Sequence, residues 1–170
     1  YNEAIEIINK IKTLSKLSLS DMVLSRNPFG INSATRGAIK QFDGAYKLQT
    51  SEGVFWVKKN SILTNVDHAD SYKILISKLI SEHAGEKDKN GQVRVLSNLQ
   101  ILEPKCICTD SYLIISKFDN ENAANALFKY LKTRLVRFLL QLAVSSINLS
   151  KEKFQFIPLQ DFTSKSDIDW

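Results

Sequence analysis

The sequence predicts an α+β fold: an antiparallel or mixed β-sheet flanked by an N-terminal helix and a long helix near the C-terminus. Three observations predict it. Apolar residues recur at three- and four-residue spacing near both ends of the chain, and in alternating or unbroken runs between them. The order is helix, several strands, then helix, and the absence of repeated strand–helix units argues against a doubly wound parallel sheet. The 170 residues, 44% hydrophobic and 24% charged, suit one domain over residues 1–170 and exclude a wholly disordered chain.

The first helix spans residues 2–19, where Ile5, Ile8, Ile11, Leu14 and Leu17 form one stripe before Ser20 and Asp21 close the pattern. Residues 24–37 are irregular. Asn27-Pro28 favours an extended or turn backbone, and Gly30 and Gly37 punctuate the stretch. Residues 45–50 and 54–58 read as strands joined through Ser51-Glu52-Gly53, with Phe55 and Val57 on one face and Val54, Trp56 and Lys58 on the other. Residues 72–80 read as a buried strand, 81–91 as a polar loop, and 93–102 and 106–117 as two more strands. Asp119-Asn120-Glu121-Asn122 opens a helix running to about residue 144, with an Asn or Asp cap and an acid at the positive end of its dipole. The tail from residue 150 is mixed, and residues 161–170 read as loose.

Lys and Arg number 23 against 18 acids, a net charge of +5, which permits an anionic partner without requiring one. No apolar run is long enough to span a membrane, and the start at Tyr1 lacks a signal-peptide pattern. No membrane partner is expected, and the chain, which also lacks an initiator Met, is read as a fragment of a longer, cytoplasmic protein. Cys106 and Cys108 share a strand face, too close for an unstrained disulfide, and read as reduced thiols. With His68 and His83 they lack the ligand spacing of a zinc site. No nucleophile elbow, phosphate loop or dinucleotide fingerprint is present. Asp88, Glu103 and Lys105 have the letters of a nuclease site in which two carboxylates hold magnesium, but solvated side chains at a strand end explain them more simply. Arg26, Arg36, Lys40, Lys47, Lys58, Lys59, Lys73 and Lys78 fall on loops and strand ends. Interleaved with Phe29, Phe55, Trp56 and Tyr72, they suit a surface that tracks phosphates and touches bases. A solvated face is the plain alternative.

Six blocks then carry a resemblance. They are Ser25-Arg26-Asn27-Pro28-Phe29-Gly30, Trp56-Val57-Lys58-Lys59-Asn60-Ser61-Ile62, Tyr72-Lys73-Ile74-Leu75-Ile76-Ser77-Lys78, Glu103-Pro104-Lys105 with Cys108-Thr109-Asp110-Ser111-Tyr112-Leu113, Tyr130-Leu131-Lys132-Thr133-Arg134, and Phe156-Ile157-Pro158-Leu159-Gln160-Asp161-Phe162. In this order, over residues 25–162, the chain resembles the TaqI-like C-terminal specificity domain of adenine-specific DNA methyltransferases in restriction–modification systems. The resemblance implies a target-recognition module that grips double-stranded DNA for a separate catalytic domain of the same chain. That absent domain would bind S-adenosylmethionine and the flipped adenine. This fragment would then hold no catalytic residue, metal or cofactor. Its expected DNA contacts are Arg26, Asn27, Phe29, Arg36, Lys58, Lys59, Asn60, Lys78, His83 and Lys105. Arg26 lies in the shared opening motif and is expected to touch phosphate or anchor its loop. His83 lies where relatives differ and is expected to meet base edges. The alternative is a DNA endonuclease fragment using Asp88, Glu103 and Lys105.

Overall fold

The computed structural model describes residues 2–79, 95–143 and 148–170. The elements are α1 (Asn2–Leu14), β1 (Tyr46–Thr50), β2 (Gly53–Val57), a single-turn α2 (Val66–Ala69), β3 (Tyr72–Ser77), β4 (Gln100–Leu102), β5 (Cys106–Cys108), β6 (Tyr112–Phe118), α3 (Glu121–Leu131) and α4 (Arg134–Ala143). The class is α+β, as the sequence predicts. The strands, however, form two three-stranded sheets rather than one. One is mixed, in the order β2-β1-β5, with β1 antiparallel to β2 and parallel to β5. The other is antiparallel, in the order β4-β3-β6.

The antiparallel sheet lies at the centre, and side-chain alternation explains why. Ile74, Ile76, Leu113 and Ile115 point to a core shared with Ala124, Leu127 and Leu131 of α3 and Val136, Leu139 and Leu140 of α4. Leu75, Leu102 and Ile114 point the other way, to a core shared with Tyr46, Leu48, Val57 and Ile107 of the mixed sheet. Covered on both faces, β3 must be apolar at successive positions, which is the unbroken run seen in its sequence. Between Tyr72 and Ile74 the pairing with β6 slips. Ser116 and Lys117 together oppose Lys73, and Ser116 takes φ +60° at this bulge. The bulge leaves Lys117 exposed and ion-paired with Asp67.

Several boundaries differ from the sequence reading. The first helix ends at Leu14, and Leu19 is buried in a 3-10 turn (Leu19–Met22) instead of continuing the stripe. Residues 106–117 are two strands in different sheets, separated by the turn at Thr109-Asp110-Ser111. The long C-terminal helix is two helices. Thr133 Oγ1 donates to the Tyr130 carbonyl (2.8 Å) and accepts the Val136 N–H (3.3 Å), closing α3 and opening α4. The tail is pinned rather than loose. Leu159 N–H donates to Leu17 O and Leu19 N–H to Ile157 O. Trp170 packs 5.3 Å from the Phe162 ring and 5.6 Å from the Tyr130 ring, and its indole N–H donates to Asp161 O.

Candidate nucleic-acid interface

Residues 25–31 form a loop tied at several points to the rest of the fold. Asn27 O accepts the Gly30 N–H (3.4 Å) across a turn, and Gly30 takes φ +74°. A Cβ at Gly30 would lie 2.6 Å from Leu63 Cβ, so no other residue fits without displacing backbone. Pro28 is buried, and its carbonyl accepts from Asn65 Nδ2 (2.6 Å) and Thr64 Oγ1 (3.1 Å). The Phe29 carbonyl accepts Leu63 N–H, and the Ile31 carbonyl accepts Asp110 N–H. Lys78 Nζ donates to the carbonyls of both Arg26 and Asp110.

This corrects one expected contact, Phe29, and finds another, Lys78, engaged with main chain. Phe29 is fully buried in the core with Leu48, Ile62 and Ile107, so its ring packs the domain and does not meet DNA. Lys78 is half-buried and directs its ammonium at main-chain carbonyls rather than outward; the loss of solvent holds it below the ordinary lysine range. Arg26 is exposed, and among the described residues no carboxylate pairs with it. Asn27 is half-buried, and its Oδ1 is shielded from solvent with no hydrogen-bond donor among the described residues. The fold thus brings Arg26, Asn27, Lys78 and Asp110 together.

The other expected contacts among the described residues lie elsewhere, on the mixed-sheet side. Arg36 is already engaged. It pairs with Glu52 at the β1–β2 turn, donates to the Ser33 and Thr35 carbonyls (2.7 and 2.9 Å), and sits 5.7 Å from the Phe55 ring centroid. Lys59 is tethered too. Asp70 accepts from Lys59 (2.9 Å) and from the Tyr46 hydroxyl (2.6 Å), and those two donors hold its carboxyl below the usual range. Lys58 and Asn60 are exposed beside Lys59 on the 3-10 turn Lys59–Ser61. Lys105 is exposed at φ +63°, its N–H on Ala69 O and its carbonyl on Lys47 N–H. Among the described residues, Arg26, Lys40, Lys58 and Lys105 are exposed cations with no carboxylate at ion-pair distance. His83 and Asp88 lie outside the described residues.

Among the described residues, no cluster of three His, Cys, Asp or Glu side chains could hold a metal ion. Glu103 and Lys105 are exposed in the β4–β5 turn. Cys106 is half-buried, Cys108 fully buried, and both thiols are free; burial raises both above the usual thiol range.

The sequence reading placed Lys73 on the basic surface, but it is 0% exposed. Its ammonium donates to the carbonyls of Ser71 (2.8 Å), Glu103 (3.1 Å) and Ala69 (3.3 Å), and burial pushes its pKa down to about 8. The available signal was its place inside an otherwise apolar strand. No helix among the described residues is long and apolar enough to cross a membrane. In comparisons with protein families, curated proteins and solved structures, nothing matches the chain.

Proposed function

We propose that this chain is a sequence-specific duplex-DNA recognition module of a restriction–modification adenine methyltransferase. It would act in the cytoplasm and position the target for a separate S-adenosylmethionine-dependent catalytic domain of the same protein. The observation that carries the reading is the loop at residues 25–31. In the motif that resembles the specificity-domain opening, Pro28, Phe29 and Gly30 serve the fold, while Arg26 faces solvent from a backbone held at several carbonyls. A cation presented from a fixed backbone suits a phosphate or a guanine edge, because little freedom is lost on contact. The exposed cations Lys40, Lys58 and Lys105 and the net charge of +5 support an anionic partner. No observation favours the endonuclease alternative.

Duplex binding by the isolated chain tests the reading. Log affinity should fall against log salt with a slope of about −3 to −6, a handful of phosphates at about −0.9 each. Affinity indifferent to salt between about 50 and 200 mM would refute it.

A further inference from the structure

We propose that Lys78 is a positioning residue for DNA contact: it sets the backbone from which Arg26 reaches the duplex and touches no nucleotide itself. The proposal rests on the DNA-recognition reading above and assigns a role within the same site.

The geometry carries it. Lys78 is fixed at its own backbone, its N–H on Ser111 O (3.1 Å) and its carbonyl accepting Leu149 N–H (2.8 Å). From that anchored position at the end of β3 its ammonium bridges two carbonyls from distant segments, Arg26 O and Asp110 O. Asp110 N–H in turn holds Ile31 O, the far end of the same loop. Residues 26 and 31 are thus tied to one short turn, one through Lys78 and one directly.

An ammonium with two of its three donors on main chain, half out of solvent, is poorly placed to meet a phosphate. The loss of solvent outweighs the Asp110 carboxylate, which favours the charged ammonium, and the Arg26 side chain opposes that charge. The remaining anchors, Thr64 and Asn65 on Pro28 and Leu63 on Phe29, do not involve Lys78. Loss of Lys78 should therefore free the Arg26 end of the loop and leave the rest in place.

The test is a double-mutant cycle on the 170-residue chain, read by anisotropy of a short labelled duplex over a range of salt. Arg26→Ala should weaken binding by about tenfold and reduce the salt slope by about one phosphate. Lys78→Met should weaken the wild type by a similar factor and leave Arg26→Ala unchanged, since nothing remains to position. Lys78→Arg, which keeps donors for both carbonyls, should restore most of the loss. Thermal melts identify any variant that fails to fold, and Lys78→Arg then supplies the comparison.

If Lys78→Met weakens the Arg26→Ala protein by the same factor as the wild type, and lowers the slope by its own increment, Lys78 contacts phosphate and the proposal is wrong while the DNA reading stands. If Arg26→Ala binds like the wild type, the proposal is wrong while the DNA reading stands on the salt-dependent affinity of the wild type; if the wild type itself binds no duplex, both fall.

Discussion

The Lys73 ammonium meets the Glu103 carbonyl at 3.1 Å and joins the central strand β3 to the β4–β5 turn without a carboxylate. It also caps the Ser71 and Ala69 carbonyls, so three segments meet on one buried cation. Its pKa near 8, well below the ordinary lysine value, reflects the solvent it has lost.

That shift sets a pH dependence. Below pH 8 folded and unfolded chains both hold the proton, and the full cost of burying the charge is present. Between pH 8 and about 10.4 the unfolded chain keeps a proton that the folded chain has released, so the Lys73 contribution to stability rises with pH. Relative to Lys73→Met, the wild type should gain about 1–3 kcal/mol between pH 7.5 and 10. Urea unfolding of both proteins across that range measures it; a difference that stays flat or falls with pH contradicts the burial.

Gly30→Ala should be among the most destabilising small substitutions, at about 2–4 kcal/mol, because it adds a clash to a left-handed backbone. The clash is with Leu63 Cβ at 2.6 Å, which alanine at 63 would retain. Leu63→Ala should therefore fail to rescue Gly30→Ala, whereas Leu63→Gly should rescue it in part. Melting temperatures of the two pairs decide the matter, and full rescue by Leu63→Ala would show that the far side chain is the obstacle.

Thr133→Ala should cost about 1 kcal/mol, the usual worth of a cap, and Thr133→Ser should cost less because the hydroxyl remains. Denaturant midpoints test the ranking. Equal loss from both substitutions would assign the effect to the threonine methyl group.

Calorimetry with S-adenosylmethionine should show no binding to the isolated chain, which lacks a glycine-rich cofactor loop and the adenine-holding motif of such enzymes. Micromolar binding would place the cofactor site in this module and overturn the proposed division of labour.

What was legible in the sequence was what local chemistry decides. Asn120 accepts the Ala123 N–H at 3.0 Å and starts α3 as an N-cap should. The Glu52-Gly53 turn closes the β1–β2 hairpin, with Gly53 at φ +139°. The break at Thr133 was hidden because Leu131, Leu135 and Phe138 keep helical spacing through it, while the stop is made by a side-chain hydroxyl. The division of residues 106–117 between two sheets was hidden because partner choice is a long-range property, although polar Thr109-Asp110-Ser111 marked the place. In the candidate site, the exposed cations Arg26 and Lys58 were legible from loop position. The burial of Lys73, the inward turn of Lys78 and the packing of Phe29 were not, because residue type gives only the average fate of a side chain and the fold decides the rest.

The carbonyl tethers of residues 26–31 have a consequence for how such a surface can change over generations. A partner that grips the main chain of this loop is blind to the side chain the gripped residue carries. Substitution at Arg26 alters what the loop offers to a ligand and leaves its Lys78 tether available, just as a tool head can be exchanged on an unmoved handle. The burden of keeping the shape falls instead on Pro28, Phe29, Gly30 and the remote donors Asn65, Lys78 and Asp110. A change of side chain at the exposed position then needs no compensating change in the tethers that hold the loop.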